Sequence, residues 1–368
     1  MTERLSTTPL PFDPSFEQIP KDEDETTREL VETMRSIIEK TYADGGHAIR
    51  SVHAKSHGLL EGELVVPEGL PPALAQGVFA TPGRHPLVMR FSTNPGDILS
   101  DKVSTPRGLA IKIIGLEGDR LPGSEGQTTQ DFVMVNAPVF VAPTPKAFLK
   151  SLKLLAKTTD RAPAAKQALS AVLRSAESLL EKVGRESATL KSMGGHPPTH
   201  PLGETYYTVV PLRHGPYYGK LSVAPVTPEL RGLNDQSIDL DSSTDALREA
   251  IVSFFAQNGG AWELRVQLAT DLDKMPIEDA TVVWPEDESP YVTVARLEVA
   301  PQSAWSDARS LRIDDAMAFS PWHGLAAHQP LGGIMRCRKP AYEMSAGFRA
   351  SHNGCPIHEP DRLDPLPG

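Results

Sequence analysis

Leu87-Val88-Met89-Arg90-Phe91, Leu109-Ala110-Ile111-Lys112-Ile113-Ile114 and Asp131-Phe132-Val133-Met134-Val135 are three short, mostly apolar runs separated by Pro- and Gly-containing turns. They decide the fold. Each is too short for an ordinary helix and rich in residues that suit a pleated surface. Upstream, Leu60-Glu61-Gly62-Glu63-Leu64-Val65 adds an alternating run of the same kind. Downstream, residues 206–212, 218–223, 262–269 and 292–299 form a second series, with a helical pattern over 245–257 between them. Many short strands with frequent turns predict a β sandwich or a β barrel.

Outward from that β core the period changes from two to 3.6. Leu30, Val31, Met34, Ile37 and Ile38 predict an amphipathic helix that starts near Asp24, with Glu25 and Thr26 in its first turn, and stops at Gly45-Gly46. Pro9, Pro11, Pro14 and Pro20 make the preceding residues an extended arm. Helical pattern returns over 145–191, broken near 158–163, with Leu169, Val172, Leu173, Leu179, Leu180 and Val183 as its apolar face. The basic residues there (Lys146, Lys150, Lys153, Lys157, Arg161, Lys166, Arg174) read as a solvated face before a patch for lipid or a partner. A last helix is expected over 330–351, kinked or restarted at Pro340. The class is α+β.

Composition narrows the function classes. The 368 residues carry 37 Lys+Arg against 47 Asp+Glu, a net charge of −10, which argues against a nucleic-acid binder. Cys337 and Cys355 cannot build a disulfide framework, which suits a reducing cytoplasm. No apolar leader or spanning segment is visible, so neither secretion nor stable membrane insertion is expected. The 34 prolines, roughly twice the usual ~5% share, predict long wrapping connections.

Three segments carry chemistry. Arg50-Ser51-Val52-His53-Ala54-Lys55 precedes an alternating run, and on a strand His53 would point inward. In Arg90-Phe91-Ser92-Thr93, Arg90 and Ser92 share one strand face, and Pro106-Arg107-Gly108 follows. Arginines and a hydroxyl on one side suit an anionic ligand. In the final helix Arg338, Tyr342 and Arg349 stand at i, i+4 and i+11, close to one face. An arginine beside a buried tyrosine favours the phenolate, a hard ligand for ferric iron. Taken singly, each segment reads more simply as a satisfied core histidine or a salt-bridged helix. His196 and His200 have ligand-like spacing, but Pro197 and Pro198 forbid a helical zinc pair. Cys337 reads as a buried structural thiol.

Together and in this order, the segments resemble the haem catalases, and more closely their short catalase-like peroxidase relatives. The resemblance spans about residues 46–354. Arg50-x-Val52-His53-Ala54-Lys55 is similar to the distal-histidine segment, and Asn136-x-Pro138-Val139-Phe140 to the distal asparagine segment. Trp284-Pro285 and Phe319-x-Pro321 resemble later landmarks, and Arg338-x-x-x-Tyr342 the proximal ligand motif. The implied architecture is a closed antiparallel β-barrel wrapped by α-helices, without the extra C-terminal domain. An arm and helix (1–45) would precede the haem-binding domain (46–354), and a tail (355–368) would follow.

The resemblance also implies roles. Tyr342 would ligate ferric haem, in the first instance haem b, and Arg338 would keep it deprotonated. Arg50, Arg90 and Arg349 would pair with the propionates. His53 would be the distal acid/base, oriented by Ser92, with Val52 beside it and Phe140 and Phe148 around the porphyrin. Peroxide would oxidise the haem to an oxo-ferryl species, reduced in turn by a small organic donor or a second peroxide. Hydrogen peroxide or an organic hydroperoxide would be the substrate, oxidative-stress defence the setting, and a homo-oligomer, a dimer first, the assembly. Ungapped counting puts Val135 where the family has its catalytic asparagine and Asn136 one place later. Either a local bulge brings Asn136 into the pocket or the distal amide is missing. Two other readings stand: an allene oxide synthase-like enzyme acting on fatty-acid hydroperoxides, and a haem sensor or carrier without turnover. Val52, where the lipid-hydroperoxide branch resembles catalase but carries Thr, favours peroxide reduction.

Overall fold

The computed structural model describes residues 8–158 and 196–367. Its centre is a nine-stranded antiparallel sheet: β1 (Ser56–Val66), β2 (Gly83–Thr93), β3 (Arg107–Ile113), β4 (Gln130–Val135), β5 (Tyr206–Tyr207), β6 (Leu212–His214), β7 (Tyr217–Pro225), β8 (Gly260–Leu268) and β9 (Val292–Val299). The spatial order is β5-β4-β3-β2-β1-β9-β8-β7-β6, and β5 also pairs with β7. That pairing closes a barrel of eight strands, with β6 as a hairpin extension of β7. The barrel form wins over the sandwich.

Closure depends on two residues. Tyr207 faces Val135 of β4 on one side and Ser222 of β7 on the other, and Tyr206 faces Val223. The run expected over 206–212 breaks after β5 because Val209 takes a φ of +58°, a left-handed conformation that cannot continue a strand. Inside the barrel, Phe91, Leu109, Met134, Tyr206 and Trp262 pack in one apolar core. Burial of this side chain set against water is the main stabilising term.

Four longer helices are described: α1 (Glu23–Gly45), α2 (Pro145–Thr158), α3 (Ala246–Phe255) and α4 (Gly333–Asn353). α1 ends as its glycines predict, with Gly46 at φ +69° as C-cap. α4 runs through Pro340 without a break, so the expected kink or restart is absent; the helix begins at Gly333, three residues late. Leu30, Met34 and Ile37 of α1, Leu149 and Leu152 of α2, and Cys337 and Ala341 of α4 form a helical core outside the barrel. Lys146 and Lys153 of α2 pair with Asp22 and Glu29, the solvated reading of that face. The remainder of the helical pattern to 191, with its six apolar positions, lies outside the described residues.

The arm folds back onto its own chain. Leu10 N–H donates to Ala269 O (2.7 Å) and Phe12 N–H to Pro216 O (2.8 Å). Leu10, Phe12 and Phe16 pack on Tyr218, Trp284 and Leu331. Arg336 in the second turn of α4 binds Glu17, Glu23 and Glu278 together, which ties the arm, α1 and α4 into one layer.

Candidate active site

The outer face of β2–β4 forms the floor. Cα partners across an antiparallel pair share a face, so register sets two rows: Arg90–Ala110–Val133 and Ser92–Gly108–Val135. Above this floor sit residues 50–53, α4 and the stretch 313–319. Between them lies a cleft of about 80 Å³, partly open to solvent, whose walls include His53, Ser92, Tyr342, Arg50, Arg90 and Arg349.

His53 is not on a strand. Residues 51–53 form a bend that leads into β1, and His53 takes a φ of +53°, rare for a residue with a side chain. Its N–H donates to Asn94 O (2.9 Å), which fixes the bend. The ring then lies flat against β3 at Gly108, where a Cβ would stand 2.6 Å from both Cε1 and Nδ1. Only glycine leaves room there. Nδ1 is 3.2 Å from Ser92 Oγ. Burial, then Arg90 and Arg338, push the imidazole down to about 3, so it is neutral at neutral pH and able to accept a proton.

Three arginines converge at one end, on the turn 311–315, which has π-helical geometry. Arg50 donates to Asp314 O (2.8 Å), Asp314 Oδ1 (3.1 Å), Ile313 O and Met317 O. Arg90 donates to Asp314 Oδ1 (2.6 Å) and Ala54 O (3.0 Å). Arg349 donates to Asp314 O (2.5 Å) and Met317 O (3.4 Å), while its Nε is buried without a partner. Burial and mutual repulsion lower Arg50 well below its ordinary value and Arg349 to about 10. For Asp314 burial acts upward, but Arg90, Arg50 and a Ser56 hydrogen bond prevail and bring it to about 2.

Tyr342, one helical turn after Arg338, accepts a hydrogen bond from Arg338 Nη2 (2.6 Å). The other end of that guanidinium meets only Met335 Sδ (3.6 Å), and no carboxylate pairs with it among the described residues.

Not every expected residue joins them. Asn136 is turned away: its Oδ1 accepts from Arg107 N–H (2.8 Å), and its Nδ2 donates to His196 Nε2 (2.8 Å) and Glu204 Oε2 (2.5 Å). Val135, like Phe140, Phe148 and Tyr207, packs against the cluster of Val209, Val210, Ala280, Ile334 and Met335. No bulge swings the amide into the cleft, because the regular β3–β4 register ends only at Gly108 opposite Val135. Phe140 and Phe148 lie 4.9 Å apart with their rings tilted by 54°, and Phe148 and Val52 both pack against the helical core of α1, α2 and α4. His200 accepts from Leu202 N–H and holds no ligand set with His196. Cys337 is buried against Thr27, and burial raises its thiol. Asp314 and Gly108 are the residues that motif reading did not assign. Asp314 meets arginines 224 and 264 residues away, which no local pattern reveals.

The lining suits a broad, largely apolar group with carboxylates at one edge. Val52, Ala110, Val133, Phe319 and Ala341 supply apolar wall, and Arg50, Arg90 and Arg349 gather at one end, the first two paired with the Asp314 carboxylate. Arg349 Nε is a buried donor still to be satisfied.

No family model matches the chain, and no curated protein matches it in sequence. Solved structures do. A fungal catalase is 18% identical, with 96% of this chain and 67% of that one covered at a TM-score of 0.59. Catalase A from Saccharomyces cerevisiae is 18% identical over 95% of this chain and 68% of that one, TM-score 0.58. A bacterial catalase is 15% identical over 97% and 66%, TM-score 0.57. The chain has the fold of these catalases and spans about two thirds of their length.

Proposed function

We propose that this chain, a catalase fold with a basic, histidine-bearing cleft, is a haem-dependent peroxidase that reduces hydrogen peroxide or an organic hydroperoxide. The observation that carries the reading is one cleft with His53 held on β3 by Gly108 and Ser92, and Tyr342 on α4 under Arg338. Tyr342 would ligate the iron, and Arg50, Arg90 and Arg349 would hold the propionates. Haem, when bound, supplies the iron centre that takes up the oxidising equivalents of peroxide. The protein supplies the proton work. A neutral His53 accepts the proton of the near peroxide oxygen and returns it to the far oxygen as the O–O bond breaks, so that water or an alcohol leaves. Ser92 orients the ring through Nδ1. Arg338, with no carboxylate partner among the described residues, donates to the Tyr342 oxygen and fixes its position.

The balance falls towards peroxidase rather than peroxide dismutation. Asn136 spends its amide on Arg107, His196 and Glu204, so it offers no donor to position a second peroxide. Val52 beside His53 supports reduction over hydroperoxide rearrangement. One paired assay tests the reading: oxygen evolution from hydrogen peroxide beside oxidation of a dye donor, on one haem-loaded sample. Dye oxidation is expected to dominate, to fall about 10²–10⁴-fold in His53→Ala, and to vanish with haem retention in Tyr342→Phe. Vigorous oxygen evolution without dye oxidation would overturn it, as would full turnover in His53→Ala.

A further inference from the structure

The arginine end of the cleft contains its own anion. Asp314 lies among Arg50, Arg90 and Arg349, and its Oδ2 accepts from Ser56 Oγ (2.7 Å) and Ser310 Oγ (2.9 Å). Its Oδ1 accepts from Arg90 Nε and Arg50 Nη1. The neighbouring Asp315 side chain points to His47 (3.0 Å) and meets the arginines only through its backbone carbonyl. Arg50 and Arg90 pair with the Asp314 carboxylate, Arg349 reaches only backbone carbonyls, and the Asp315 charge also acts on Arg50 and Arg349, so three guanidiniums still outnumber the two acidic charges in a buried setting.

We propose that Asp314 is a resident counter-ion that sets the charge of the ligand this cleft accepts: it offsets part of the arginine charge, and the carboxylates of a ligand offset the rest. This rests on the haem reading of the cleft. The physical argument is one of mutual repulsion. Arg50 and Arg349 are each depressed first by burial and then by neighbouring arginines, and are supported by Asp314 and Asp315. Desolvated like charges are costly unless paired, so the empty cleft leans on Asp314, whereas a cleft filled by a dicarboxylate leans on it less. Asp314 is therefore coupled to the ligand's charge. A purely structural aspartate would stabilise the empty and filled states equally.

The test crosses Asp314→Asn with propionate charge. Asparagine keeps an acceptor for Arg90 and Arg50, and Ser56 and Ser310 can rotate to accept from its amide, so charge alone changes. Melting temperatures are measured for apoprotein, for protein loaded with iron protoporphyrin IX, and for protein loaded with its dimethyl ester. In wild type the diacid stabilises more than the ester. In Asp314→Asn the apoprotein melts about 5 °C lower, the diacid-loaded form loses less than half of that, and the ester-loaded form loses all of it. Equal losses in all three states, or no loss in any, overturn the proposal. If wild type binds neither porphyrin, the haem reading fails instead. If Asp314→Asn does not fold as apoprotein, refolding with the diacid but not the ester supports the proposal, and rescue by neither overturns it.

Discussion

The imidazole of His53 is aimed by what lies beneath it. Gly108 takes an ordinary strand conformation, so alanine would fit its backbone, but the added Cβ would enter the ring's space at 2.6 Å and stand 3.0 Å from Ser92 Oγ. The ring would have to lift from β3 and leave its contact with Ser92. Displacements of about 1 Å at a reacting group can cost about 10²-fold. Gly108→Ala is expected to fold, to load haem as wild type does and to lose about 10²-fold in dye oxidation. Unchanged turnover, with a structure that shows the ring still on β3, would refute this account of the aim. At this scale the motif reading found the histidine, serine, tyrosine and four arginines, since each sits in a recognisable local pattern. It placed His53 on a strand and left Asn136 open, because a left-handed bend and a side chain's outward turn are set by contacts far along the chain.

Elements were more legible than their joints. The strands of β1–β4 and β7–β9, and helices α1, α3 and α4, follow hydrophobic periods that local sequence carries. The two-residue β5 does not, because closure is decided by tyrosines meeting strands on both sides. The tail is a further joint that periodicity misses. Leu363 and Leu366 pack on Ile313, Met317 and Phe319, behind the turn that anchors the arginines. Glu359 accepts from Lys112 and from Thr129 Oγ1 (2.7 Å), and lies 3.1 Å from His323 Nδ1. Asp131 completes the cluster, with Lys112 Nζ at 2.7 Å and His323 Nδ1 at 3.2 Å. Asp131, His323 and Glu359 converge closely enough to suggest a metal, but the Lys112 ammonium already occupies their oxygens. Two cations balance two carboxylates. Burial opposes charge on both, yet His323 is raised to about 9 by Asp131 and Glu359, and Glu359 is lowered to about 2 by Lys112 and His323. The raised histidine stabilises fully below its ordinary 6.5 and ceases to as pH passes 9. The lowered carboxylate stabilises fully above 4.5 and ceases to as pH falls through 2. Tail docking is thus firmest between 4.5 and 6.5 and loosens above 9. In Glu359→Gln, hydrogen exchange over 355–367 should quicken at neutral pH while the barrel strands stay protected. Protection equal to wild type would remove Glu359 as the latch.

Over the whole molecule, the buried histidines dominate the response to acid. His53 and His328 are held down to about 3, His200 and His214 to about 4, and His57 well below its ordinary value, in every case first by burial. His214 stacks on Phe79, His328 meets the same ring edge-on, and His328 Nε2 accepts from Val78 N–H (3.0 Å), which requires the neutral ring. Composition records eleven histidines but not that five lie in desolvated positions, since burial is a property of the closed barrel and its wrapping rather than of any window of sequence. The folded chain excludes protons that the unfolded chain binds from pH 6.5 downward, so stability is complete above 6.5 and declines as pH falls towards 3–4. Each ring costs about 1.4 kcal/mol per pH unit in that window. All five shifts have the same sign, so the losses add and acid works against the folded chain at each of these rings. His323 cannot offset this, because its favourable contribution is already complete below 6.5. Apoprotein followed by far-ultraviolet circular dichroism should unfold cooperatively above about pH 4, with net proton uptake measured by titration at the transition. A chain still folded below that pH, or one that unfolds there without taking up protons, would show that the buried rings are not what limits its stability in acid.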